Sequence, residues 1–420
     1  MLRLIYTALI YIAAPVVFAL TAWRGRRDPA YRERLPERFG FTALRSAAPV
    51  IWVHAVSVGE VQAAAALVRT LRQRYPQKSL VMTTATPTGA QRVKALFGDS
   101  VSHCYLPYDL PGAVRRFLDR VRPTIAVVIE TEVWPNLFRE CGRRELPIVL
   151  ASARLSEKSV RRFHWMAGLF RAALTRDIVI GAQTRSDADR FLAVGSDPAR
   201  TLVTGNIKFD LEVPADVRTQ GHEERSKFAQ RFVWVAGSTH EGEEQIVLDA
   251  HRRLQSRRSD ALLILVPRHP DRFERVKAWL SSESIAYAVR SKGETVAPQT
   301  SVLLVDTLGE LLKFYAAGDV AFVGGSLVPV GGHNLLEPAA LALPIVTGPN
   351  NFNAADVARL LLQSDAALEV RNADELSNAL LELCANAGRR NAMGRAALNI
   401  VEANRGALAR VMRLVEPLIR

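Results

Sequence analysis

Strands alternating with helices, in two successive series, constrain this chain more than any other feature. Apolar runs rich in Val and Ile fall at 50–56, 79–84, 124–130, 147–151, 177–182 and 201–205. Helical patterns fill the gaps at 60–74, 110–121, 156–174 and 184–194. Strands separated by a crossover helix pair in parallel, and parallel sheets are covered on both faces. A more polar stretch follows, and then the rhythm restarts with "FVWVAGS" at 232–238, "ALLILVP" at 261–267, "SVLLVDT" at 301–307, "DVAFVGG" at 319–325 and "PIVTGP" at 344–349. The expected fold class is therefore α/β, with two Rossmann-like doubly wound domains facing a ligand cleft. The first spans 50–207 and the second 231–372, joined by a linker at 208–230 and followed by C-terminal helices at 373–420.

The N-terminus lies outside this rhythm. "LIYTALIYIAAPVVFALTAW", Leu4–Trp23, carries no charge, and Arg24, Arg26 and Arg27 follow at once. About 20 apolar residues suffice to cross a bilayer. A cleaved signal peptide has a shorter apolar region and a small-residue cleavage site, and neither pattern is present. Residues 1–23 therefore read as a membrane anchor and 24–49 as a linker, with the arginines keeping the remainder in the cytoplasm. Pro15 leaves room for an interfacial helix instead of a straight span, and a buried core helix is the structural alternative. The 55 Lys+Arg against 42 Asp+Glu give +13, which suits an anionic membrane surface or a phosphate-bearing partner. Nucleic acid fits poorly, because aromatics are only 7% and no basic run is interleaved with them. Cys104, Cys141 and Cys384 lie far apart, which favours a reducing compartment over a disulfide framework or metal cluster.

Doubly wound sheets bind ligands beyond the carboxyl ends of their strands, so the residues delivered there are the candidates. In the first series these are Ser57-Val-Gly-Glu60, Glu130 of "VVIETEVWPN", and Asn206 and Lys208 of "TGNIKFD". Glu60 opens a helix and could merely complement its dipole, but its place beyond Gly59 would also let it take a proton from a hydroxyl. Glu130 ends an apolar strand, where an unpaired carboxylate is costly. Lys208 could reach a phosphate or carboxylate.

In the second series "GSTHEGEE", Arg268 and His269 of "PRHPDRF", Gly309 and Glu310 of "DTLGEL", and "GGSLVPVGGHNLLEPA" occupy the same positions. Glycines allow close backbone approach, helix N-termini offer N–H groups to phosphate, and Arg268 can grip phosphate oxygens. Glu337 could receive ribose hydroxyls, or simply face a helix dipole. Together these loops point to a nucleotide. Asp187-Ala-Asp189 imitates a metal-holding D-x-D, but "TRSDADRFLAVG" reads as an amphipathic helix capped by Ser186. No metal ligand set is expected elsewhere.

"HAVSVGE", "VVIETEVWPN", "GNIKFD", "AGSTHEGEE", "PRHPDRF", "DTLGEL" and "GGHNLLEPA", in this order, resemble the 3-deoxy-D-manno-octulosonic acid (Kdo) transferases over essentially the whole chain. The resemblance implies an inner-membrane, cytoplasm-facing GT-B glycosyltransferase that moves Kdo from CMP-Kdo to a phosphorylated lipid A precursor, inverting and without cofactor or metal. It implies Glu60 as general base, and Glu130 and Lys208 as stabilisers of the transition state. Arg268 and His269, Gly309, Glu310 and Leu311, and Asn334, Leu335, Leu336 and Glu337 match its CMP-binding segments. A GT-B transferase using a UDP-sugar and a lipid acceptor, or a membrane-tethered nucleotide-binding protein without catalysis, remain as alternatives.

Overall fold

The structure, a computed structural model, describes residues 2–27, 29–46, 48–130, 132–157, 160 and 178–419. The helix expected over 156–174 falls almost wholly outside them. The chain forms two compact units, one of residues 1–210 with 404–420 and one of residues 211–403.

The first unit carries strands β1 (Val50–His54), β2 (Ser79–Thr84), β3 (Ser102–Tyr105), β4 (Pro123–Ile129), β5 (Ile148–Ala153), β6 (Ile178–Ala182) and β7 (Thr201–Val203). They form one parallel sheet in the order β3-β2-β1-β4-β5-β6-β7. Successive side chains point to opposite faces, as the pleat requires. Val50 and Trp52 of β1 join Ala126 and Val128 of β4 in one core. Ile51 and Val53 join Ile125, Val127 and Ile129 in the other. Both faces are covered by buried apolar side chains, which is why these strands read as unbroken apolar runs. His54 is a core residue: its Nδ1 meets the Thr83 hydroxyl at 2.8 Å, and burial lowers its pKa to about 4.

The second unit repeats the plan with β8 (Val233–Thr239), β9 (Leu262–Pro267), β10 (Tyr287–Val289), β11 (Val302–Leu304), β12 (Val320–Val323), β13 (Ile345–Thr347) and β14 (Ala367–Glu369), in the order β10-β11-β9-β8-β12-β13-β14. Trp234 and Ala236 pack on one face, Val233 and Val235 on the other. Each sheet order reverses at its first strand, between β1 and β4 and between β8 and β12. These switch points are where such sheets take ligands.

The boundaries differ from the sequence reading in two places. The stretch read as a linker, 208–230, contains the helix Val217–Ser226, which packs in the second unit. A Cβ on Gly221 would stand 2.3 Å from that of Ala316, so glycine permits this contact. The last helix, Ala407–Val415, belongs to the first unit, not to a trailing helical segment. Its Ala407, Val411, Met412 and Val415 complete the core containing Ile51 and Val53. The Asp210 carboxylate accepts the N–H groups of Gly406 and Leu408, each at 2.6 Å, and so caps this helix from the loop after β7.

Candidate active site

At the first switch point β1 turns through Ala55–Ser57 into the helix Val58–Arg74. Ser57 occupies the N-cap without a capping side-chain bond. Glu60 supplies one instead, its Oε2 accepting the Val56 N–H at 2.6 Å. The helix-end role weighed from the sequence is thus real, but the surroundings add to it. Burial raises the Glu60 carboxyl to about 7 despite the Val56 N–H, with Glu130 and Glu132 adding repulsion and Lys208 opposing them. A carboxyl that ionises near neutrality is suited to accept a proton at physiological pH.

β4 delivers Glu130 beside it. Glu130 holds φ at 59°, a left-handed conformation uncommon outside glycine that costs about 1–3 kcal/mol. Its N–H donates to the Ala151 carbonyl at 2.9 Å, continuing the parallel ladder between β4 and β5. Its Oε1 accepts from Lys208 Nζ at 2.7 Å, with both side chains about a quarter exposed (26% and 25%). Lys208 is held in turn by its own loop. Asn206 Oδ1 accepts the Lys208 N–H at 3.0 Å, and the Ile207 N–H donates to Ser152 Oγ at 3.0 Å. Burial also raises Glu132 to about 7. The first unit therefore brings Glu60, Glu130 and Lys208 together, with Glu132 as a further acid beside them.

In the second unit the glycine-rich loop after β12 behaves differently from the expectation. The Glu243 carboxylate, fully buried at the second switch point, accepts the N–H groups of Gly325 (2.7 Å), Ser326 (3.0 Å) and Leu327 (2.9 Å). It also accepts the His240 N–H at 3.0 Å. Those loop amides are committed to a carboxylate of the protein itself and are not offered to phosphate. The glycines serve packing: a Cβ on Gly325, at φ +70°, would stand 2.9 Å from the His333 ring.

What the loops do assemble is a cluster of imidazoles. His240 Nε2 lies 2.7 Å from His333 Nε2, so one nitrogen must carry the proton that the other accepts. His269 meets the His240 ring edge-on at 5.2 Å. Burial lowers His240 to about 4 and His333 to about 3, and the positive charge of Arg268 contributes to both. Arg268 and His269 are exposed, and the Arg268 guanidinium has no side-chain partner among the described residues. The Arg268 charge, beside neutral imidazoles that can donate N–H groups, is suited to hold phosphate.

The other expected segments border the same strand ends. Gly309, at φ +83°, has open space where a Cβ would stand. Glu310 precedes the helix that begins at Leu311. Burial would raise its carboxyl, but Arg290 at 3.1 Å, Lys313 and Thr307 overcome this and hold it at about 2. Asn334 Oδ1 accepts the Leu336 N–H at 3.1 Å, and Asn334 Nδ2 donates to Glu337 Oε1 at 3.1 Å. Leu335 and Leu336 are buried, leaving only backbone to face a ligand.

His240 and His333 were not singled out in the sequence. Both stood in quoted motifs, "GSTHEGEE" and "GGHNLLEPA", but spacing along a chain does not reveal that two loops bring them into contact. The cap of the D-x-D helix also differs, being Thr184 and not Ser186. Asp187 Oδ1 accepts the Leu155 N–H at 3.1 Å and its Oδ2 the Thr184 hydroxyl at 2.6 Å. Asp189 pairs with Arg185 at 3.2 Å.

A family model described as 3-deoxy-D-manno-octulosonic-acid transferase (kdotransferase) matches residues 33–211. The 3-deoxy-D-manno-octulosonic acid transferase of Haemophilus influenzae is 41% identical over 421 residues, covering 99% of each chain. That of Bordetella pertussis is 38% identical over 428 residues, again 99% of each. Among solved structures, MurG of Acinetobacter baumannii superposes with a TM-score of 0.56 at 13% identity, over 88% of this chain and 99% of that one, a likeness of fold alone. The architecture is that of the GT-B glycosyltransferases, with one apolar N-terminal helix as a candidate anchor. On the full-length identity, the chain belongs to the Kdo transferase family and is a Kdo-transferring glycosyltransferase.

Proposed function

We propose that this chain transfers Kdo from CMP-Kdo to a phosphorylated lipid A precursor, lipid IVA. The transfer proceeds with inversion and without a metal, at the cytoplasmic face of the inner membrane. The observation that carries the reading is Glu60, a half-buried carboxyl poised at about 7 beside the Glu130–Lys208 pair.

In this reading Glu60 takes the proton of the acceptor hydroxyl as that oxygen attacks the anomeric carbon of Kdo. The bond from that carbon to the phosphate oxygen breaks, and its electron pair leaves with CMP. Attack opposite the leaving phosphate inverts the centre in one displacement. Lys208, positioned by Glu130, places positive charge where negative charge develops. The second unit holds the donor: Arg268, His269, His240 and His333 take the phosphate. Gly309, Glu310, Leu311 and the Asn334–Glu337 segment border the nucleoside. Metal independence is supported by the commitment of Asp187 and Asp189 to a helix start. The anchor helix, the arginines after it and the +13 charge suit a phosphorylated lipid acceptor at an anionic surface.

The test is turnover of the full chain with CMP-Kdo and lipid IVA, following released nucleotide by chromatography and the new glycosidic bond by NMR. Release of CMP with the anomeric configuration opposite to that of the donor is expected. Retained configuration, or turnover only with a UDP-sugar, overturns the reading.

A further inference from the structure

The N-terminal helix, Leu2–Arg27, is apolar around its circumference, yet one of its faces is already occupied. Tyr6, Thr7, Ile10, Ala13, Ala14 and Thr21 are half-buried and recur at helical spacing. Near one end the Tyr6 hydroxyl donates to Asp109 Oδ2 at 2.9 Å, and the Thr7 hydroxyl to Asn136 Oδ1 at 3.2 Å. Near the other end Thr21 Oγ1 lies 3.2 Å from the Tyr108 hydroxyl, and the Phe18 ring is 6.4 Å from that of Phe39. The opposite face leaves Leu4, Leu9, Ile12, Val16, Leu20 and Trp23 exposed, Ile12 by 72%.

From these contacts we infer that the helix does not cross the bilayer. It lies in the membrane plane, docked along the first unit, and its exposed face enters the headgroup–acyl boundary of an anionic phospholipid surface. The inference rests on the membrane reading of this helix.

Length decides against a span. Tyr6 and Thr21 are about 22 Å apart along the axis at ~1.5 Å per residue, most of a hydrocarbon core of ~30 Å. An upright helix keeping both contacts would carry Asp109 and Asn136 toward the far leaflet. Asp109 is 3% exposed and also accepts the N–H groups of Asn136 at 2.9 Å and Leu137 at 2.8 Å, capping the helix Pro135–Arg143. Such a polar hub, built into the parallel-sheet unit, cannot be drawn through hydrocarbon without large cost. Lying flat satisfies both sets of contacts. Exposed Arg24 and Arg26, at the end of the helix, meet anionic headgroups. The membrane surface is thereby joined, through Tyr6 and Asp109, to the segment that follows Glu130.

The test uses full-length protein carrying Cys384→Ser and one of Leu4→Cys, Ile12→Cys or Leu20→Cys, all on the exposed face, each labelled with an environment-sensitive fluorophore. Bound to vesicles of phosphatidylethanolamine and phosphatidylglycerol, the three sites should be quenched alike, more by lipids brominated near the headgroup than by lipids brominated near the chain end. Deep quenching at Ile12 with shallow quenching at Leu4 and Leu20 overturns the inference in favour of a span. Equal binding to vesicles of phosphatidylcholine alone overturns the anionic partner. Protein left in the supernatant after sedimentation with every vesicle refutes the membrane reading itself.

Discussion

Replacing Glu60 by Gln separates two roles that one side chain combines. Gln keeps the size and an oxygen able to accept the Val56 N–H, 2.6 Å away in the native protein, but it cannot take a proton. Loss of a general base lowers kcat by ~10²–10⁴, or about 3–5 kcal/mol of barrier. The native carboxyl, raised from 4.5 to about 7, should give a rate that climbs as pH rises through about 7, whereas the Gln variant should be flat there. Stability moves the other way. Between 4.5 and about 7 the folded state retains a proton that the unfolded state has released, so native stability falls as pH rises through that window. Above it the native protein carries a half-buried charge at a cost of about 3 kcal/mol, which Gln does not carry. The melting temperature of Glu60→Gln relative to the native chain should therefore rise between about pH 5 and 8 as turnover collapses. The assay is transfer rate and thermal melting on the same preparations across pH. A near-normal rate with a lower melting temperature at high pH would refute the reasoning. It would reduce Glu60 to a helix-end residue worth ~0.3–1 kcal/mol.

Lys208→Met removes the 2.7 Å partner of Glu130 and should lower kcat by ~10²–10³ with little change in CMP affinity, as read by steady-state kinetics and calorimetry. Glu243→Ala leaves four N–H groups without their acceptor, at ~1–3 kcal/mol each if buried. It should abolish CMP binding in a titration and lower the melting temperature. CMP binding should take up protons as pH falls from about 6 toward 4, because phosphate beside the neutral His240 and His333 raises them from about 4 and about 3 and favours their charged forms. Calorimetry in buffers of different ionisation enthalpy measures this uptake, and its absence removes the pair from the phosphate site. Transfer should persist in EDTA; loss of activity that magnesium or manganese restores would contradict the commitment of Asp187 to its helix.

The two parallel sheets were legible because their central strands are buried on both faces and read as continuous apolar runs. The strands that escaped notice, β3, β10 and β14, are edge strands of three or four residues, too short to show an apolar run that stands out from loops. Nothing in "ALARVMRLV" states that its apolar stripe covers β5 of the first sheet and not the second sheet, so the return of the last helix was invisible. The first unit's candidates were findable because they follow strand ends in a doubly wound fold, where topology alone brings Glu60 and Glu130 side by side. The glycine-rich loop misled for a physical reason. A cradle of amides suits any anion, and here Glu243, itself in the acidic first turn of a helix, is that anion.

The central claim is most directly tested by mass spectrometry of lipid IVA after incubation with the full chain and CMP-Kdo, run beside the Glu60→Gln variant. The account predicts that the native chain converts the acceptor to species heavier by whole Kdo residues, with one CMP released for each. It predicts that Glu60→Gln, folded and still binding CMP, gives ~10²–10⁴-fold less product. An acceptor of unchanged mass despite CMP release, or equal product from both proteins, would contradict it.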